Sequence, residues 1–186
     1  MTTNKNSKKK ASVTARKNAV HAETPRVLTF QEAYEEMIVK FTSIVHSYAE
    51  SKAEGTHIYL SFDGNNVQTS ILFSHSGITY NVDEFSEYLS KSGQVLEDAE
   101  KRKIALGHYM QSNIVELVQV FQKFNQPLPR QLWLNLDSRA NQVVSKASND
   151  PIPTLQKAIN TYRKNLETPV PAEIEDSLSR LGISLN

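Results

Sequence analysis

Residues 56–82 read THIYLSFDGNNVQTSILFSHSGITYNV, and this stretch constrains the fold more than any other. It holds three short runs rich in β-branched and aromatic residues, which are separated by Asp63–Asn66 and by Ser76–Gly77. Glycine and asparagine tolerate the positive φ angles of tight hairpin turns, so both separators are turn signals. The stretch therefore predicts a three-stranded antiparallel meander.

A second hairpin is predicted further along the chain. Residues 131–137 (QLWLNLD) alternate strictly, with three leucines on one face and the tryptophan on the other. Residues 138–141 (SRAN) have the composition of a turn, and residues 142–148 (QVVSKAS) are the expected partner strand. The strands thus come in hairpins and do not alternate singly with helices.

A long amphipathic helix is predicted before the meander. Residues 28–50 place apolar side chains at intervals of three and four, the spacing of one helix face. Thr29 and Glu32 have the spacing of a capping box, in which each side chain satisfies an unpaired backbone N–H group. Gly55 is the expected end of this region.

Three further helical regions follow from the same periodicity. Asp83 is expected to cap a short helix, and residues 95–126 to form one long helix or, if Gly107 breaks it, two. Residues 154–167 predict a helix that is capped by Thr154. Residues 171–181 predict a last short helix, with Pro171 at its start and Gly182 just past its end.

This order of elements favours an α+β fold. Strands in hairpins predict an antiparallel sheet of about five strands, packed against amphipathic helices. A chain of 186 residues suits one domain, since domains usually hold about 100–200 residues. The sequence therefore predicts a single domain over residues 27–186, of which residues 168–186 form a loosely attached C-terminal helix.

A basic tail precedes this domain. Residues 1–26 carry seven basic residues and one acidic residue. Subtracting these from the totals of 21 and 20 leaves 14 basic and 19 acidic residues, a net charge of −5 for the remainder. The tail has too little apolar surface to offset the entropy lost on ordering, so it is predicted to be disordered.

The tail is the candidate site for nucleic acid, because lysine and arginine displace the counterions that surround phosphates. The candidate contacts are Lys8, Lys9, Lys10, Arg16 and Lys17. The same tail would suit an arm that threads into an assembly, or a solvated terminus with no partner.

Several functional classes lack their motifs in this sequence. There is no cysteine, which excludes disulfides and thiolate chemistry, and no glycine-rich phosphate loop or nucleophile elbow. No apolar run approaches the ~18 residues of a membrane span, and no secretory signal is present. We therefore expect a cytoplasmic protein that is not an enzyme and that holds no cofactor and no metal.

The strand faces opposite the leucines carry the candidate partner-binding residues. They are Trp133, with His57 and Tyr59 predicted on the same side of the sheet. If this face is open, it forms an aromatic and polar patch of the kind that protein interfaces favour. If the helix predicted at 154–167 covers the face, Trp133 belongs to the core, which is the usual place of a large aromatic residue.

Four segments define the element order from Phe30 to Glu167, namely YEEMIVKF, HIYLSFDG, ITYNVDEF and QLWLNLDSRAN. A helix, a meander, more helix and a tryptophan-containing hairpin follow one another in that order. This pattern resembles the YezG-like immunity proteins of bacterial toxin systems. The resemblance implies a non-enzymatic protein that binds and neutralises a partner toxin, often a nuclease, and it assigns no functional residues.

Two function hypotheses result. The first is a protein-binding module, such as an immunity protein or antitoxin, that occludes its partner through an acidic or aromatic surface of the body of the domain. The second is a nucleic-acid-associated or assembly protein of a virus or ribonucleoprotein, anchored by its basic arm.

Overall fold

The computed structural model describes residues 27–64 and 66–166, which form one antiparallel sheet and helices on both of its faces. The strands are β1 (Gly55–Asp63), β2 (Asn66–His75), β3 (Ile78–Asn81), β4 (Gln131–Asp137) and β5 (Gln142–Ser148). The helices are α1 (Phe30–His46), α2 (Val82–Lys91), α3 (Ala99–Lys123) and α4 (Leu155–Leu166). The predicted α+β fold is confirmed.

The sheet has the strand order β3-β2-β1-β4-β5, and every neighbouring pair is antiparallel. The meander and the second hairpin join because β1 pairs with β4. The predictions for the basic tail at 1–26 and for a helix at 168–186 lie outside the described residues. Within the described ranges, no helix combines the length and the apolar character needed to cross a membrane.

The first helix begins as its sequence predicts. The backbone N–H of Glu32 donates to the Thr29 hydroxyl, and the Glu32 carboxylate accepts from the Thr29 N–H, so both halves of the capping box are present. The prediction that Gly55 ends this region is wrong, because Gly55 is the first residue of β1. The chain has already turned at Glu50 and Ser51, which adopt φ angles of 50° and 63°.

Two other helix boundaries differ from their predictions. Asn81, and not Asp83, caps α2, because the Asn81 side chain accepts from the backbone N–H groups of Asp83 and Glu84. The next helix begins at Ala99, after Asp98 adopts a left-handed φ of 51°. It runs unbroken through Gly107, so the single-helix alternative is confirmed.

The main core lies on one face of the sheet. Ile58, Leu60 and Leu134 are fully buried there beneath α1, which contributes Phe41 and Val45. In this layer α2 packs on β2 and β3, whereas α3 packs chiefly against α1. The opposite face carries α4, where the Lys157 N–H donates to the Thr154 hydroxyl and confirms the predicted cap.

Candidate functional site

Helix α4 covers the sheet face that carries His57, Tyr59 and Trp133. The strand register places all three on one face, as the alternation predicts, because Tyr59 pairs directly with Trp133. Tyr59 is fully buried and His57 is 8% exposed, so neither offers surface to a partner. Trp133 alone remains partly exposed. The condition for an open aromatic patch, an uncovered face, is therefore not met.

Three aromatic rings hold α4 on the sheet. The ring centroid of Trp133 lies 4.0 Å from that of Tyr162, with the rings 10° from parallel. Tyr59 is the second ring in contact with the indole. Its ring centroid lies 4.6 Å from that of Trp133, and the two rings are tilted by 39°. Such contacts add about 0.5–1.5 kcal/mol each beyond the area they bury. Both indole contacts are therefore internal to the domain.

A polar chain continues beneath this stack. The Tyr162 hydroxyl donates to Asn135 Oδ1 at 2.5 Å and lies 2.8 Å from His57 Nδ1. His57 Nε2 lies 3.2 Å from the Ser74 hydroxyl, and burial raises the pKa of Tyr162 well above its usual value. Gly55 makes room for this chain, because a Cβ there would lie 2.6 Å from Ser74 Oγ.

Ser74, His57 and Asn135 stand in the order of nucleophile, base and orienting group in a hydrolase triad. Two features favour a structural role for them. The orienting group is a neutral amide, which lacks the charge that stabilises an imidazolium, and His57 Nδ1 also contacts Tyr162. No group of three His, Cys, Asp or Glu side chains in the described ranges could hold a metal ion.

The buried histidines make stability depend on pH. Burial lowers the pKa of His57 below 6.5, against weaker opposing effects of Asn135 and Asp137, and burial lowers the pKa of His46 as well. The unfolded chain then binds more protons than the folded chain, so the free energy of unfolding falls as pH falls below about 6.5. We expect His57→Gln to remove up to about 1.4 kcal/mol per pH unit from this slope.

The measurement is urea unfolding at a series of pH values between 5 and 8. His108→Gln makes the same change at an exposed histidine of α3 and is the matched control. An unchanged slope in His57→Gln would contradict a buried neutral imidazole.

A second candidate site lies at the other end of β2. The outer neighbour of β2 is β3, which pairs with it only from Leu72 to His75. On that side no strand of the described ranges lies beside residues 66–71. A sheet edge of this kind presents unpaired backbone donors and acceptors, which are a template for another chain.

An apolar groove of about 800 Å³ runs along this free edge, between β2 and α3. It exists because α3 packs chiefly on α1 and not on the sheet, so the first half of β2 has no helix tightly against it. Val67 from the strand and Val115 from the helix remain 41% and 55% exposed. The apolar lining residues are Val67, Ile71, Val82, Leu106, Met110, Ile114 and Val115.

The groove carries almost no charge. Lys103 is its one ionisable lining residue in the described ranges, and its ammonium group lies 2.5 Å from the Asp83 carboxylate. Asn66–Ile71 contains neither a charged residue nor a proline. The edge strand β5 differs, because Lys146 stands in its middle and a lysine discourages pairing with another chain.

Sequence reasoning missed this groove. One signal was available, since the second run of the meander is six residues longer than the third: β2 has 10 residues and β3 has 4. The α3 side of the groove had no comparable signal, because the periodicity of a helix does not say which element it packs against. No protein-family model matches the chain, and no curated protein matches it.

Proposed function

We propose that this protein is a protein-binding module whose docking surface is the apolar groove between β2 and α3. One observation carries the proposal: the uncovered apolar lining of the groove and the unpaired edge of the sheet lie at the same place. Exposed apolar patches with polar surroundings are typical of interaction sites. The largely buried face around Trp133 offers less surface than this groove does.

The resemblance to YezG-like immunity proteins favours one instance of this class. In that instance the partner is a toxin, and the module neutralises it by occlusion. The alternative, a nucleic-acid-associated or assembly protein, depends on the basic residues of the tail. Those residues lie outside the described ranges, so the geometry adds nothing to that alternative.

Four exposed valines allow a matched test of the docking surface. The variant V67E/V115E places a carboxylate on each side of the groove, one on a strand and one on a helix. The control V39E/V144E makes the same changes on α1 and β5, where the valines are 48% and 50% exposed. Burying a charge against an apolar partner is costly, so we expect at least about a tenfold loss of binding in the first variant.

The readout is affinity capture from a native lysate of the source cells, quantified for each protein recovered by the unaltered chain. Recovery of one partner should fall in V67E/V115E and persist in V39E/V144E, with both variants folded by circular dichroism. Equal recovery by the two variants would contradict the proposal. Recovery of nucleic acid that disappears on deleting residues 1–26, with no groove-dependent protein, would support the alternative.

A further inference from the structure

The turns at the two ends of β2 determine the direction in which its backbone N–H and C=O groups point. The β1–β2 hairpin closes at the pair Asp63 and Asn66, and residues that flank a two-residue turn exchange hydrogen bonds. The backbone groups of even-numbered residues of β2 therefore point to β1. The bond from the Glu54 N–H to the Ser74 carbonyl agrees with this assignment.

The odd-numbered residues of β2 then point the other way. His75 flanks the second two-residue turn and pairs with Ile78 of β3, which gives the same direction independently. Beyond the end of β3, the N–H and C=O groups of Val67 and Thr69 and the N–H group of Ile71 face away from the sheet. No strand of the described ranges pairs with them on that side.

The side chains of the same three residues line the groove. Backbone groups and side chains therefore serve one binding site, in which an added strand would continue the line of β3. Because side chains alternate between faces, every second residue of such a strand would enter the groove towards Met110 and Ile114. The free edge covers six residues, about 20 Å of strand.

The charges around the groove limit which polypeptide segments could bind along this edge. The Lys103 ammonium group is already neutralised by Asp83, and no other ionisable side chain in the described ranges lines the groove. A charged side chain placed in the groove would lose water without gaining a partner. The site therefore suits an uncharged segment with apolar residues at alternate positions.

We infer that the free edge of β2 binds a partner protein by strand addition, taking an uncharged extended segment of about six residues. This inference rests on the proposed function and names the form of the partner's segment. Main-chain hydrogen bonds would provide affinity, and the groove would select the alternating side chains.

Proline substitution separates strand addition from simple apolar docking. Thr69→Pro removes an N–H group that points outwards, so it should spare the bonds between β1 and β2. Thr69→Val keeps that N–H and is the matched control. Val67→Pro removes another outward N–H closer to the turn, and it replaces Thr69→Pro if that variant does not fold.

The probe is a displayed library of random ten-residue peptides, selected on the full chain, from which the tightest peptide is synthesised and titrated. We expect alternating apolar residues in this peptide and at least a tenfold weaker Kd for Thr69→Pro and for V67E/V115E, but not for Thr69→Val. Amide exchange of Val67, Thr69 and Ile71 should slow when the peptide binds.

Each of the remaining outcomes would contradict one part of the inference. Binding that is lost in V67E/V115E but unchanged in Thr69→Pro would overturn strand addition and keep the groove as a docking surface. Peptides that are insensitive to both variants, or none selected at all, would overturn the groove as well. The free chain could also prove to be a dimer in which the outward amides already exchange slowly. That result would contradict a partner protein as the occupant of the edge and would show that a second copy of this chain occupies it.

Discussion

Replacing Phe73 with alanine is expected to lower the free energy of unfolding by about 3–5 kcal/mol. Phe73 is fully buried on the core face of β2, where its ring centroid lies 5.0 Å from Phe85 and 5.6 Å from Tyr48. The substitution removes one of the ring contacts that join α2 to the sheet. The packed neighbours can collapse only partly into the space that it leaves. Chemical unfolding followed by circular dichroism measures the loss.

The control is Val67→Ala, which lies on the same strand and the same face but is 41% exposed. Its expected cost is below about 0.5 kcal/mol, the usual range for surface substitutions. A large loss of stability at position 73 and a small one at position 67 would show where along β2 the core ends. Similar costs at the two positions would mean that the groove is filled, and would contradict an open docking surface.

Replacing Trp133 with alanine is expected to cost about 2–4 kcal/mol, despite the partial exposure of its side chain. The indole is the shared partner of Tyr59 and Tyr162, so its removal takes away the stacked ring on which Tyr162 of α4 lies. The free energy of unfolding should be measured by circular dichroism, because Trp133 is the single tryptophan of the chain.

Trp133→Phe is the matched control, since a phenyl ring can retain part of both contacts and should restore more than half of the loss. If Trp133→Ala left the stability unchanged and instead abolished partner binding, the indole would be an interface residue. That result would revive the aromatic patch as the docking surface and would contradict the assignment of that role to the groove.

Local chemistry explains why much of the fold could be predicted. The alternation in QLWLNLD and the turn residues around Gly64 and Gly77 act within a few positions, so the strands and their hairpins followed from the sequence. The capping box at Thr29 is equally local. Asn81 was missed as the α2 cap because it also ends β3, and the strand pattern obscured its second role.

The candidate site depends on contacts that are distant along the chain. Tyr162 meets Asn135 and His57 across 27 and 105 positions, so its role on the buried face had no local signal. The groove likewise depends on where α3 packs, and on β3 stopping before the end of its neighbour. Relative lengths of strands are readable from sequence, but the placement of a helix over them is decided by the whole core.

Amide hydrogen exchange of the free chain tests the central claim, that β2 has an open outer edge, most directly. The inward amides of Gln68 and Ser70 should exchange slowly, because they are bonded to β1. The outward amides of Val67, Thr69 and Ile71 should exchange faster by orders of magnitude, producing an alternating pattern along the strand. Uniform protection from residue 66 to residue 71 would contradict the open edge, and with it the site proposed for the partner.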